Sequence, residues 1–277
     1  MLAAGEDITD IDHIVLSARS KLSALPAVDA SQASGALHDA LVERLRAQIE
    51  DQVLARFGLT LESFLSDGKN LLTSRVFDDL VEKIGYVKLP IHFLLVGFDG
   101  GGSGHLMAVD GDRSPASYDS VGFLAIGSGS NAATVSLAYQ SGQGHYLGVD
   151  SGLAECVYCC SEAKFMAESA SDVGAGTFMM ILKHQREPQC ISSVRIDEEI
   201  RKAWVTTGAP RIPSKLIKSI PAMAVTLADL TTAEGFHAFV GKGKISRARL
   251  DREFKALKMA ASRELDSPDP QPPKADQ

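Results

Sequence analysis

The sequence predicts an α+β layer fold, with strands gathered in a block and helices on either side. Three observations carry that reading. Residues 91–137 hold IHFLLVGFDGGGSGHLMAVD and then YDSVGFLAIGSGSNAATVSL, three apolar strands and a helix punctuated by glycine. Apolar residues at helical spacing fill the chain before this block. After it come another helical run and a last buried strand, Thr177–Lys183 (TFMMILK). Consecutive strands joined by a tight turn favour an antiparallel layer over a doubly wound sheet.

Taken in order, Ala3-Ala4-Gly5 reads as the end of a strand, and Thr9 or Asp10 as the cap of a helix. Ile11, Ile14, Val15, Ala18 and Leu22 form that helix's apolar stripe, and Pro26 closes it. A second helix, Gly35–Phe57, carries Leu37, Leu41, Leu45, Ile49 and Val53 against Glu43, Arg44, Arg46 and Glu50, with Gly58 as its stop. Phe64–Leu65 and Val76–Ile84 supply helical pieces before Pro90. Ile91–Phe98 is a strand, and Asp99–Gly104 (DGGGSG) is a hairpin loop, since it joins two strands and no Lys-Ser/Thr follows it. Leu106–Asp110 returns antiparallel, Val121–Ile126 is a third strand, and Gly127-Ser128-Gly129-Ser130 breaks into a helix near Asn131. His145–Val149 is short and extended, and Leu153–Ser169 is a helix of small and apolar residues.

Beyond Lys183 the character changes. Ile191–Trp204 and Pro213–Leu230 read as helices, and Gly243–Ala261 as a basic helix bearing Lys244, Arg247, Arg249, Arg252, Lys255 and Lys258. The ending SPDPQPPKADQ has the composition of a solvated, disordered tail. The predicted organisation is a body over 1–183, a helical basic extension over 184–265 and a tail over 266–277.

The bulk numbers bound the function. A chain of 277 residues, 45% hydrophobic and 23% charged, can bury a large core. No apolar run reaches the roughly 20 residues of a membrane span. The opening MLAAGEDITD has neither a basic nor an apolar signal region, which predicts a cytoplasmic protein. Four cysteines, three of them at Cys156, Cys159 and Cys160, suit a reducing setting better than a disulfide framework. Residues 1–182 hold 11 Lys+Arg against 23 Asp+Glu, and residues 183–277 hold 17 against 12. An acidic body with a basic extension argues for two regions with different partners and against nucleic acid as the body's ligand. The basic helix reads first as a solvated face, and second as a contact for an acidic partner.

Neither metal nor cofactor is expected. His92, His105 and His145 show no H-x-x-x-H spacing, and the C-x-x-C of the cysteine cluster lacks a second pair and reads as core. Gly127–Ala132 formally matches G-x-G-x-x-A, with Asp150 about 20 residues on, so a nucleotide-binding enzyme stays open as an alternative. The antiparallel hairpin before it is the wrong context for that fingerprint.

The ordered set of words Phe93–Asp99, Gly100–Gly104, Leu106–Asp110, Gly122–Ile126 and Gly127–Gly129 resembles the proteasome family of N-terminal-nucleophile hydrolases. Val173-Gly174-Ala175-Gly176-Thr177 before the last strand matches that family's order. At the front, Ala4-Gly5 with Asp10 resembles its A-G-x-x-x-D helix opening, with one extra residue. The resemblance covers about residues 1–183 and implies a four-layer αββα sandwich followed here by a C-terminal helical extension. It assigns Gly5 the oxyanion-donating N–H, Ser128 a part in moving protons around the nucleophile's amine, and Asp172 the orientation of that serine. Ala175 stands where the family has a companion serine.

The family attacks with an N-terminal threonine activated by its own amine, with an aspartate and a lysine in the strands after it. All of these lie before the A-G helix opening, where this chain has three residues. The expectation is therefore a bacterial-type, proteasome-like threonine peptidase short of about 40–50 residues of N-terminal strands, inactive as it stands. Peptide or unfolded protein would be the substrate, and a homo-oligomer the working form. A non-catalytic ring-assembly module is the alternative.

Overall fold

A computed structural model describes residues 1–5, 8–25, 28–143, 152–207 and 212–226. The chain divides into two compact units, Met1–Ser151 with Met166–Val173, and Gly152–Phe165 with Gly174–Gln277. The readings of His145–Val149, the basic helix 243–261 and the tail 266–277 lie outside the described residues.

The first unit is built on one antiparallel sheet in the order β1 (Leu2–Ala4), β2 (His92–Phe98), β3 (Gly104–Asp110), β4 (Ala116–Ser117). The glycine-rich loop is the hairpin turn expected. The Asp99 N–H donates to Ser103 O at 3.0 Å, and Gly102 takes φ +90°, a left-handed value that costs glycine nothing. Register places Leu94 between Leu2 and Ala108, and Phe93 between Ala3 and Val109.

Helices α1 (Ile8–Leu22) and α2 (Ala30–Ile49) cover one face of this sheet. Their stripes, Ile14 and Ala18 with Leu37, Ala40 and Leu41, close on Ile91, Phe93 and Val109 in one buried cluster. Each such large side chain taken from water stabilises by about 1.5–3 kcal/mol before ordering costs. The predicted start of the second helix at Gly35 moves back to Ala30. Asp29 accepts from Gln32 N and Gln32 returns the bond to the Asp29 N–H, a capping box that nucleates the turn earlier. The helix continues as a π turn (Glu50–Leu54) and a 3-10 turn (Ala55–Phe57), stopping at Gly58 in the left-handed region, φ +66°. Beyond it, α3 (Leu61–Leu71) and α4 (Ser74–Tyr86) enclose a second core of Val53, Leu54, Phe64 and Leu80.

One polar tie sits inside this apolar packing. Asp10 lies in the first turn of α1 rather than capping it, only 4% exposed. Its Oδ1 accepts from Arg44 Nε at 2.6 Å and its Oδ2 from Gln48 Nε2 at 2.9 Å. A carboxylate withdrawn from water needs such partners, so Asp10 fixes the roll of α2 against α1.

The strand expected at Val121–Ile126 is not one. Tyr118 N donates to Leu106 O at 2.8 Å, but Val121 N and Gly122 N then both turn back to Tyr118 O. Gly122 takes φ +79° there and leads the chain away from the edge of the sheet. Residues 122–126 are half-buried and belong to no ladder, and they deliver α5 (Ser130–Gly142).

The second unit holds an antiparallel sheet β5 (Met179–Lys183), β6 (Arg186–Ile191), β7 (Val225–Thr226). The extension expected to be helical from residue 184 thus begins with a strand, hairpinned to β5 across the predicted boundary at 183. Pro188 lies in the middle of β6, and the β5–β6 register shifts between Ile181 and Lys183 beside it, as a residue without an N–H requires. Helix α6 (Leu153–Ala167) contributes Val157, Tyr158 and Phe165 to this unit's core. The run α7 (Ser193–Arg195), a π segment (Ile196–Arg201) and α8 (Lys202–Thr207) adds Ile196 and Ile200, and α9 (Ser214–Met223) adds Leu216 and Ile220.

Replacing Arg44 with Met should leave the Asp10 carboxylate buried without its cation and lower unfolding stability by about 3 kcal/mol. Asp10→Asn, which keeps a hydrogen-bonding side chain, should cost less than half as much. Urea titration monitored by circular dichroism measures both, and equal losses would contradict the electrostatic role given to the pair.

Candidate functional site

The site is made at three glycines, two of them in approaches too close for a side chain and one in a left-handed backbone that disfavours it. Gly5 ends the segment after β1, where a Cβ would fall 2.9 Å from Ile91 Cγ1 and 3.4 Å from Pro90 O. Gly127 adopts φ +91°, and a Cβ there would lie 3.6 Å from the Cβ of Ala4. Gly129 is the tightest: a Cβ would stand 2.6 Å from Ala167 Cβ, and 2.9 Å from both Ala167 O and Val173 Cγ2. The end of β1, the Gly127-Ser128-Gly129 turn and the 167–173 segment after α6 therefore meet within the first unit. These segments carry Gly5, Ser128 and Asp172, the residues singled out from the sequence.

Ser128 and Asp172 are both exposed at this meeting point. Asp172 Oδ1 accepts from Ser171 Oγ at 3.3 Å, a neighbour in sequence rather than Ser128. The turn is closed by Ser130 N to Gly127 O at 3.0 Å and opens α5, whose N-cap Gly129 offers no capping side chain. The segments are brought together, but no hydrogen bond links Ser128 to Asp172. Ala175 belongs to the second unit. There Lys164 Nζ donates to Gly174 O at 2.6 Å and Arg201 Nη2 to Ala175 O at 3.1 Å, so two cations brace the turn that follows Asp172.

The same meeting point bears on the nucleotide reading of Gly127–Ala132. The run before the turn is not in a ladder, so the parallel strand–turn–helix context of that fingerprint is not formed. Asp150 lies outside the described residues. Cys159 is buried, and burial pushes its thiol up to about 12, far from a reactive thiolate. Among the described residues no group of three His, Cys, Asp or Glu side chains is placed to hold a metal ion. Nor, among them, is any helix long and apolar enough to cross a membrane.

Sequence reasoning passed over one cluster. His105, at the start of β3, lies between Asp119, with Nδ1 to Oδ2 at 2.9 Å, and Asp99, with Nε2 to Oδ2 at 3.6 Å. The hydrogen bond to Asp119, helped by the attraction of both carboxylates, holds the His105 pKa above its ordinary value despite some desolvation. The Ser103 N–H holds Asp99 below its ordinary value, and the Leu106 N–H does the same for Asp119. Beside His105 runs a groove of about 160 Å³, lined by Val28, Ala33, Leu95, Phe98 and Met107. The hairpin register sets Leu95 opposite Met107 and Gly97 opposite His105, and no spacing in the sequence signals that Val28, Ala33 and Asp119 join them.

No family model, no curated protein and no solved structure matches the chain.

The three glycine approaches are testable by one added methyl group. Gly129→Ala should destabilise the protein by about 1–3 kcal/mol through overpacking. Gly35→Ala, where a Cβ meets nothing within 4 Å inside a helix, should stabilise it instead, by up to about 1 kcal/mol. Thermal unfolding of the two variants should therefore move in opposite directions.

Proposed function

We propose that this chain is a relative of proteasome-type peptidases in which Gly5, Ser128 and Asp172 form the supporting part of a peptide-hydrolysing site. The observation that supports this reading is the convergence of the β1 end, the Gly-Ser-Gly turn and the 167–173 segment, three separate stretches that the family resemblance picks out together. In this reading the N–H of Gly5 faces the developing oxyanion, the Ser128 hydroxyl passes protons near an attacking amine, and Asp172 orients that hydroxyl once substrate tightens the site. None of the three is the attacking group. The finer architecture proposed is the four-layer αββα sandwich. It is supported by two antiparallel sheets that each carry exposed apolar residues, Val96 and Phe98 on β2 and Met180 and Leu182 on β5.

Three observations favour a second reading, a non-catalytic module that assembles with copies of itself. Ser128 and Asp172 make no bond to each other, and Ala175 replaces the companion serine, so the proton network is incomplete. Val135 and Tyr139, one turn apart on α5, are 70% and 54% exposed, which suits a face that another copy covers.

An extended peptide carrying a photo-crosslinker should label residues 1–5, 127–131 or 167–173 of the 277-residue chain. Fluorogenic peptides should not be cleaved by it. Crosslinks confined to other segments would overturn the peptide-site reading, and hydrolysis abolished by Ser128→Ala would overturn the assignment of purely supporting roles. A strictly monomeric protein by light scattering would remove the assembly reading.

A further inference from the structure

The geometry points to His105 as a proton-operated clasp that joins the tip of the β2–β3 hairpin to the 117–122 turn. Three segments meet on this ring. The hairpin tip presents Asp99, whose Oδ1 accepts the Ser103 N–H at 2.8 Å and whose Oδ2 faces His105 Nε2. The turn after β4 presents Asp119, whose Oδ1 accepts the Leu106 N–H at 2.6 Å and whose Oδ2 faces His105 Nδ1. The ring itself belongs to β3. The other ionisable group beside it is Asp29, the cap of α2, which lines the same groove. Among the described residues these charged neighbours are all carboxylates, and an imidazolium is the form that satisfies them together.

The two contacts respond differently when the proton leaves. A neutral imidazole keeps Nδ1–H as donor to Asp119, so that bond survives. Its Nε2 then carries a lone pair toward the Asp99 carboxylate, and an attractive contact becomes a repulsive one. Losing one proton thus releases the hairpin tip and leaves the 117–122 turn attached. Because the bound state raises the pKa of His105, the clasp is fully closed below the ordinary histidine range and opens as pH rises through the raised value. Opening loosens the Phe98 side of the groove. The clasp does not rest on the peptidase reading.

The test uses the full chain. An NMR titration of the His105 ring should give a midpoint above about 6.5, lowered more by Asp119→Asn than by Asp99→Asn. Hydrogen exchange of amides 100–104, corrected for intrinsic rates, should lose about twofold to fivefold protection as pH crosses that midpoint, the size expected of an exposed ion pair. Amides 118–122 should change less, and His105→Gln should abolish the pH dependence. A midpoint at or below the ordinary value, measured in the unmutated chain, would overturn the clasp. So would tip protection that stays flat across the titration, or that changes equally in His105→Gln.

Discussion

The first unit depends on backbones approaching more closely than any side chain allows. At Gly129 a single methyl group would have to occupy the space of Ala167 and Val173 at once. That approach sets where α5 begins and where the chain leaving α6 can run. Gly127, left-handed and against Ala4, ties the same turn to the end of β1. Three stretches far apart in sequence are thus held by what their glycines lack. Packing forces of this kind act at short range and permit little relaxation, so they fix the turn's place without a dense set of hydrogen bonds.

Around that point the helices are placed by a division of labour. Apolar stripes on α1 and α2 supply the bulk of the attraction to Phe93 and Val109, but such contacts are indifferent to small rotations. The Asp10–Arg44–Gln48 tie is directional, and it selects one roll among several that hydrophobic burial would accept. The second unit has an analogous arrangement, with Arg201 lying 4.0 Å over the Phe165 ring while bonding Asp197 and the Ala175 carbonyl.

Much of the fold was legible because burial and periodicity agree. Ile91–Phe98 and Leu106–Asp110 announce themselves as strands around a glycine-rich turn, and Leu37, Leu41 and Leu45 announce a helix. The failures share a cause. Phe123–Ile126 is apolar because it is half-buried, and composition alone cannot tell buried coil from a paired strand. Arg186–Ile191 reads RE-P-Q and gives no strand signal, yet β5 draws it into a ladder by proximity. At the site, glycines announced where the chain turns. Whether Ser128 faces Asp172, or His105 faces Asp99 and Asp119, depends on loop paths and register that residue types do not encode.

The π turn at Glu50–Leu54 has a consequence for how this chain can change in length. Leu37, Leu41, Leu45, Ile49 and Val53 recur every four residues, a spacing that drifts around an ordinary helix. Leu37 and Leu41 face the sheet, Ile49 and, within the π turn, Val53 and Leu54 join the core shared with α3 and α4, and Leu45 touches both cores. The drift of the stripe, continued through the wider turn, lets one continuous helix serve two hydrophobic centres that lie in different directions. Insertions and deletions there are consequently not interchangeable with those in a loop. A shift of one residue would rotate everything downstream by about a quarter turn and carry part of the buried stripe into water, so this stretch is held to its length as firmly as to its composition.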